Sequence, residues 1–195
     1  MLAMLLAHAS PLCAQSVEVS PFVGYLFGND LFEAFAGPLN VDGAASFGMV
    51  VDVPLEPGVQ FEAFYSHQAV EALTGPGVDP RPAALRIAVD HFQAGGVQEY
   101  GTERVRPFLT GTLGLTHFAI EADHEVRFTL GAGGGVKLFP VSHVGVRLDG
   151  RVFATFLDAG RSTVACGGNG TCLVGLNLNI AWQAVFTAAV VVRIP

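Results

Sequence analysis

Charge is scarce in this sequence of 195 residues: 14% of them are Asp, Glu, Lys or Arg, against about 25% in ordinary soluble domains. That is too little to coat a water-facing surface of this size, and the composition points to lipid. Basic residues are scarcer still. Ten Lys plus Arg stand against 17 Asp plus Glu, a net charge of −7, and no basic stripe is present to follow a phosphate backbone, which sets nucleic acid aside as a partner. Long apolar runs are missing too. Beyond the extreme N-terminus none approaches the roughly 18 to 20 residues a spanning helix needs; the nearest, IAWQAVFTAAVVV at 180–192, is broken by Gln183 and Thr187. A helical membrane protein is therefore not expected.

Cysteine is sparse, with three in all. The opening MLAMLLAHASPLCAQS places an apolar stretch before Pro11 and the small residue Ala14, the pattern of a secretory signal cleaved after Ala14. Residues 1–14 are therefore expected to be removed and 15–195 to form one domain; a buried N-terminal segment is the alternative. A lipoprotein role for Cys13 is opposed by Leu12, which stands where a small residue would be required. Cys166 and Cys172 remain, spaced as CGGNGTC in a Gly-rich loop that can fold back into bridge geometry, and a disulfide is expected. A two-Cys metal half-site competes with it, but no second Cys pair exists and no His lies in that loop to complete a tetrahedral set. Asn169-Gly170-Thr171 fits a glycosylation sequon, relevant only in a eukaryotic source.

What is present is alternation. Period-two segments recur at 17–27, 44–53, 58–67, 85–99, 107–119, 124–138, 144–156 and 173–194, with turn signals between them and no sustained helical period. Long connections (28–43, 68–84, 157–172) mostly alternate with short ones (54–57, 100–106, 140–143), broken only by a shorter link near 120–123. An up-and-down barrel collects its long loops at one end, whereas a Greek-key sandwich gives no reason to. The expected fold is all-β, an eight-stranded antiparallel up-and-down transmembrane β-barrel.

VGVRLDGRVFATF at 144–156 shows how the faces sort. Arg147, Asp149 and Arg151 occupy one face of a strand while Val146, Leu148 and Val152 occupy the other. In a membrane barrel the polar face turns to the lumen and the apolar face to lipid. The inward charges expected on this basis are Glu18, Asp52, Glu62, Arg86, Asp90, Arg127, Lys137, Arg147, Asp149, Arg151 and Arg193, joined by Gln60, Thr110, Thr112 and Thr116. Both signs are present, so Arg can pair with carboxylates of neighbouring strands. The lipid-facing set is Val19, Val23, Phe47, Phe61, Ile87, Val89, Leu113, Leu115, Phe128, Leu130, Val146, Leu148, Val152, Trp182 and Phe186. GAGGGV at 131–136 lacks the spacing of a dinucleotide or phosphate loop, and its glycines are read as room for large side chains on adjoining strands.

The glycine-and-aromatic PFVGYLFG, the strand VGVRLDGRVF and the long hydrophobic final strand resemble the first, penultimate and last strands of small bacterial outer-membrane barrels of the OmpA-like eight-stranded superfamily. The resemblance implies a bacterial outer-membrane location and outer-membrane lipid as the immediate partner. One departure is the ending VVVRIP, where such chains usually close on an aromatic residue.

Fold alone does not set function. Neither an acid/base pair at a defined distance nor a metal-ligand or cofactor motif is legible, so no cofactor is expected and the function expected is non-enzymatic. The barrel would be a monomeric anchor with a closed, charge-paired lumen, and loops 28–43, 68–84 and 157–172 would meet an extracellular ligand or protein. Two alternatives stand beside it. A soluble lipocalin-like barrel would hold a small hydrophobic ligand inside, with the charged ladder outside. A lipid-modifying hydrolase would use Ser66, His67, Glu71 or His117 near the rim, although adjacent strand residues such as Ser66 and His67 point to opposite faces.

Overall fold

The structure is a computed structural model that describes residues 16–27, 44–73, 84–101, 104–120, 123–157, 163–166, 172–175 and 179–195. These form β1 (Val17–Phe27), β2 (Ala44–Glu56), β3 (Val59–Leu73), β4 (Ala84–Glu99), β5 (Val105–Ile120), β6 (Asp123–Leu138), β7 (Val144–Leu157), β8 (Thr163–Cys166), β9 (Cys172–Gly175) and β10 (Asn179–Ile194). Eight strands close into a barrel in the order β1-β10-β7-β6-β5-β4-β3-β2, and β8 and β9 form a separate two-stranded sheet. Every neighbouring pair is antiparallel, including the closing pair β1·β10, which sets Glu18 opposite Arg193 and Phe22 opposite Ala189. Closure leaves the barrel sheet without an edge, which a lipid environment requires because it offers unpaired backbone groups no partner.

The alternation of side chains sets inside and outside. Phe22, Leu26, Val50, Phe64, Phe153, Val185 and Ala189 are buried together within the barrel, where Phe22 stacks on Phe64 at 5.3 Å and Phe64 meets Phe153 at 5.8 Å. On the outside Val23, Phe47, Leu109, Leu113, Trp182 and Phe186 are each more than half exposed. Such large side chains recur on the outward face of every barrel strand. Soluble proteins rarely expose a contiguous apolar surface of more than a few hundred Å², and an exterior of this kind is a lipid-facing belt.

The described short connections lie at one end of the barrel. At 57–58 the chain reverses through Gly58, whose φ of +79° is in the left-handed region that glycine enters without penalty. The Gly58 carbonyl accepts from the Glu99 amide at 2.7 Å and from the Gln98 side chain at 3.0 Å, tying this turn to the end of β4. Residues 1–15 and 28–43 lie outside the described residues.

Two expectations about strand limits are corrected. β3 runs to Leu73 and β4 starts at Ala84, with their pairing continuous to Leu73↔Ala84, so the connection expected at 68–84 contracts to 74–83. Polar residues such as Gln68 interrupt an apolar pattern without interrupting a strand whose inner face is polar. The last barrel strand begins at Asn179 rather than 173, because Cys172–Gly175 pairs with Thr163–Cys166 instead. Only a short Gly-rich segment separates those two runs, and closing so short a loop costs little entropy.

Candidate functional site: a charged lumen and an outward acid–histidine row

Lys137 of β6, Arg147, Asp149 and Arg151 of β7, and Arg193 of β10 project inward, where they meet carboxylates of β1, β2, β3 and β4. Lys137 is fully buried, and its Nζ lies 2.7 Å from Glu18, 2.8 Å from Asp52 and 2.7 Å from Glu99, while donating to Gln60 Oε1 at 2.8 Å. Arg147 donates to Asp52 at 2.8 Å, Glu62 at 2.6 Å and Asp149 at 2.9 Å. Arg151 grips Glu62 through both terminal nitrogens, at 2.7 and 2.9 Å, and Asp149 at 2.6 Å. Arg193 donates to Glu18 at 2.8 Å, and Thr110 adds a bond to Glu62 at 2.9 Å.

Two residues of this network, Glu99 and Arg106, are absent from the set expected from the sequence. Arg106 lies 3.3 Å from Glu99 at the barrel end. With them the bridged cations (Arg106, Lys137, Arg147, Arg151, Arg193) number five, and so do the carboxylates (Glu18, Asp52, Glu62, Glu99, Asp149). Charge therefore balances among these groups, the condition under which ions tolerate burial. Aromatic faces complete the shell: Arg147 lies over Phe108 at 4.4 Å and Arg151 over Phe64 at 4.3 Å.

The glycines of GAGGGV make room for this packing. A Cβ on Gly133 would come within 2.7 Å of Arg151 Cγ and 2.6 Å of the Gly150 carbonyl oxygen, and one on Gly131 or Gly135 would run into Thr112 or the Leu148 carbonyl. A larger residue would collide with the neighbouring strand and with the guanidinium stem that reaches across the lumen.

Arg127 lies on the inward parity of β6 toward the long-connection end, where it pairs with Glu125. The Arg86 side chain lies outside the described residues, as do those of Cys166 and Cys172, although the β8–β9 register sets the two cysteines opposite each other.

Asp90 is a correction. It does not enter the lumen but faces outward, and Val89, expected toward lipid, is fully buried inside. The inward positions of β4 include Val89, His91, Gln93 and Val97, all buried, and Glu99 of the lumenal network. Both parities of VDHFQAGGVQE carry polar residues, so the acidic side chain misleads a reading made from one strand. Its register partners explain the outward placement: Asp90 pairs with His67 on β3 and with His117 on β5, both of which face outward as well. His67 Nδ1 lies 2.7 Å from Asp90 Oδ1, His117 Nδ1 lies 3.5 Å from Oδ2, and the Tyr65 hydroxyl donates to Oδ1 at 3.1 Å. Phe47 packs on the His67 ring at 5.1 Å and His124 stacks on His117 at 5.5 Å. Ser66, the nucleophile that a hydrolase would need beside His67, is buried on the opposite, lumenal face and its register partner is His91.

A closed eight-stranded antiparallel barrel, ionic inside and apolar outside, has the architecture of a small transmembrane β-barrel. Among solved structures, neisserial surface protein A (NspA) superposes with a TM-score of 0.56 at 12% identity, over 92% of this chain and 96% of that one. A major outer membrane protein from Thermus thermophilus gives 0.54 at 10% identity, over 93% and 100% respectively. At such identities the likeness concerns the fold. No protein-family model matches the chain, and no curated protein matches it either.

Proposed function

We propose that the chain is a non-enzymatic outer-membrane barrel whose closed lumen acts as a rigid anchor for the connections at its long-loop end. The observation that carries this reading is the lumen itself: a charge-balanced network to which all eight barrel strands contribute, backed by the Phe22–Phe64–Phe153 layer. Eight strands enclose a space that side chains can fill, and these side chains meet across it. The lipocalin-like alternative needs the charged ladder outside, whereas Arg147, Asp149 and Arg151 are buried within the barrel. Rigid scaffolds commonly carry binding on their loops, and in outer-membrane barrels the longer connections face outward. Residues 28–43, 74–83 and 158–178 are the candidates for contact with an extracellular ligand or protein.

The test is reconstitution in a planar bilayer with the inserted barrel verified by heat-modifiable mobility. The expected result is no steady conductance from the native chain. A stable open channel would sink the closed-anchor reading. Residues 1–14 are read as an export signal, so protein recovered from envelopes should begin at Gln15 on N-terminal sequencing. A Cys166–Cys172 disulfide, which the facing positions on β8 and β9 support, should add two mass units on reduction.

A further inference from the structure

Arg104, Arg106 and Arg193 meet at the short-turn mouth of the barrel, where they line one cavity of about 440 Å³ with Phe139, Pro140, Val141 and Ser142. No carboxylate lines that cavity among the described residues. Like charges repel, so guanidinium groups gathered around one space have to be held there. Backbone bonds do this from both sides of the β6–β7 turn. The Phe139 amide donates to the Arg104 carbonyl at 2.8 Å, and the Arg193 amide donates to the His143 carbonyl at 2.9 Å. Phe139 also packs against two of the cations, its ring centroid 3.5 Å from the Arg193 guanidinium carbon and 5.3 Å from that of Arg106.

The carboxylates behind the mouth are divided between two claims. Glu99 lies 3.3 Å from Arg106 but 2.7 Å from Lys137, and Glu18 lies 2.8 Å from Arg193 but 2.7 Å from Lys137. Each acid is thus shared with the fully buried lysine. Glu56, the other acid described at this end, closes β2 and does not line the cavity. Arg104 stands outside the five-against-five balance of the lumen as a sixth cation, exposed and without an ion pair among the described residues. The Nη2 of Arg193, although buried, has no hydrogen-bond partner among them either. Positive charge and donor capacity are therefore left over at this mouth.

Guanidinium forks match the oxygens of phosphate and carboxylate. Three of them, from β10, from the first turn of β5 and from the residue before it, suit a tetrahedral group that presents oxygens in several directions better than a planar one. Arg106 and Arg193 keep only 25% and 14% of their side-chain surface exposed, so their charge is screened less than on an open surface. The cavity is larger than a bare phosphate ion fills, and Pro140 and Val141 give it an apolar wall. An organic ester has room beside the phosphate.

We infer that the short-turn mouth binds a phosphate ester, with Arg104, Arg106 and Arg193 holding the phosphate oxygens and the Phe139–Ser142 turn flanking the ester group. A barrel mouth lies where membrane headgroups meet water, so a phospholipid headgroup and a soluble phosphate ester share the required chemistry. The site needs neither a closed lumen nor a loop partner.

The experiment follows the arginine side-chain NMR signals of the refolded barrel in a sugar-based, phosphate-free detergent. Glycerol phosphate and phosphatidylglycerol are titrated separately, with sodium chloride and sodium acetate at matched ionic strength as references. Saturable shifts of the Arg104, Arg106 and Arg193 signals are expected with at least one of the two phosphates and with neither reference. Glycerol phosphate that phosphatidylglycerol does not displace identifies a soluble ester, and displacement identifies the headgroup. Arg104→Gln should weaken binding about tenfold, the loss of one charge-assisted contact, and Arg104→Glu should abolish it. Arg104 lies outside the lumenal network, so both variants should insert, which heat-modifiable mobility checks. If neither inserts, the comparison with chloride and acetate on the native chain decides. Shifts no different from those with chloride or acetate, shifts that never saturate, or affinity unchanged in an inserted Arg104→Gln barrel would overturn the assignment.

Discussion

The two halves of the lumen enclose the same eight strands but are filled by different chemistry. Toward the short-turn end the filling is ionic, with Lys137, Arg147, Arg151 and Arg193 meshed among carboxylates. Toward the other end it is largely neutral: His91 Nδ1 lies 2.8 Å from the Thr116 hydroxyl, Thr116 bonds Thr129 at 2.6 Å, and Thr129 bonds Thr155 at 3.0 Å. His91 also stacks on Phe153 at 4.6 Å, and Gln68, Gln93 and Gln183 are buried nearby on the inner face. The ionic half draws on every barrel strand, whereas the threonine ladder spans β4 to β7 only. The ionic half thus ties the barrel's closure together, including partners as distant in sequence as Glu18 and Arg193, while the neutral half stiffens one wall.

The comparison can be broken most severely at Glu62, which both Arg147 and Arg151 contact. Glu62→Ala leaves two buried guanidinium groups short of a partner, and its expected cost is about 3 to 5 kcal/mol, read as a fall in the urea midpoint of the refolded barrel in micelles. Gly133→Val should follow at roughly 1 to 3 kcal/mol, the usual cost of overpacking, because the added atoms meet Arg151 and the Gly150 carbonyl. If Gly133→Val proved neutral by the same measurement, Arg151 would not need that space. In the neutral half, Thr129→Val removes the middle hydroxyl of the ladder and should cost about 1 kcal/mol, with the short-turn half unaffected in hydrogen exchange. The smallest effect is expected from salt. Fully buried pairs such as Lys137–Asp52 are shielded from counter-ions, so raising NaCl should leave the unfolding midpoint nearly unchanged, and a steep salt dependence would mean that solvent ions reach the network.

How far the sequence was readable differed from strand to strand. On β7 the charges stand at every second position with only apolar or glycine neighbours between them, so one strand alone separates lumen from lipid. β4 resists the same treatment, because Asp90 and Gln98 fall on one parity and His91, Gln93 and Glu99 on the other. Its face is decided across strands, by His67 and His117, and those pairings depend on a register that alternation along one chain segment does not encode. Glu99 and Arg106 escaped for a related reason: each lies beside a turn, where periodicity is shortest, and each finds its partner only after β4 and β5 have paired. The β8–β9 hairpin shares the β-rich composition of a barrel strand and differs from one only in what it pairs with.

The sequence by itself determined that the chain is built of strands, that charge is too scarce to coat a water-facing surface, and that β7 has one ionic and one apolar face; which face is hidden it left to the closed barrel to decide. These follow from composition and period two, which act locally on each segment. Only the tertiary structure decided which charges meet in the lumen and which carboxylate turns outward to two histidines. The physical reason is that charge pairing is a property of positions brought together by closure: Glu18 and Lys137 stand 119 residues apart in the chain and 2.7 Å apart in the barrel.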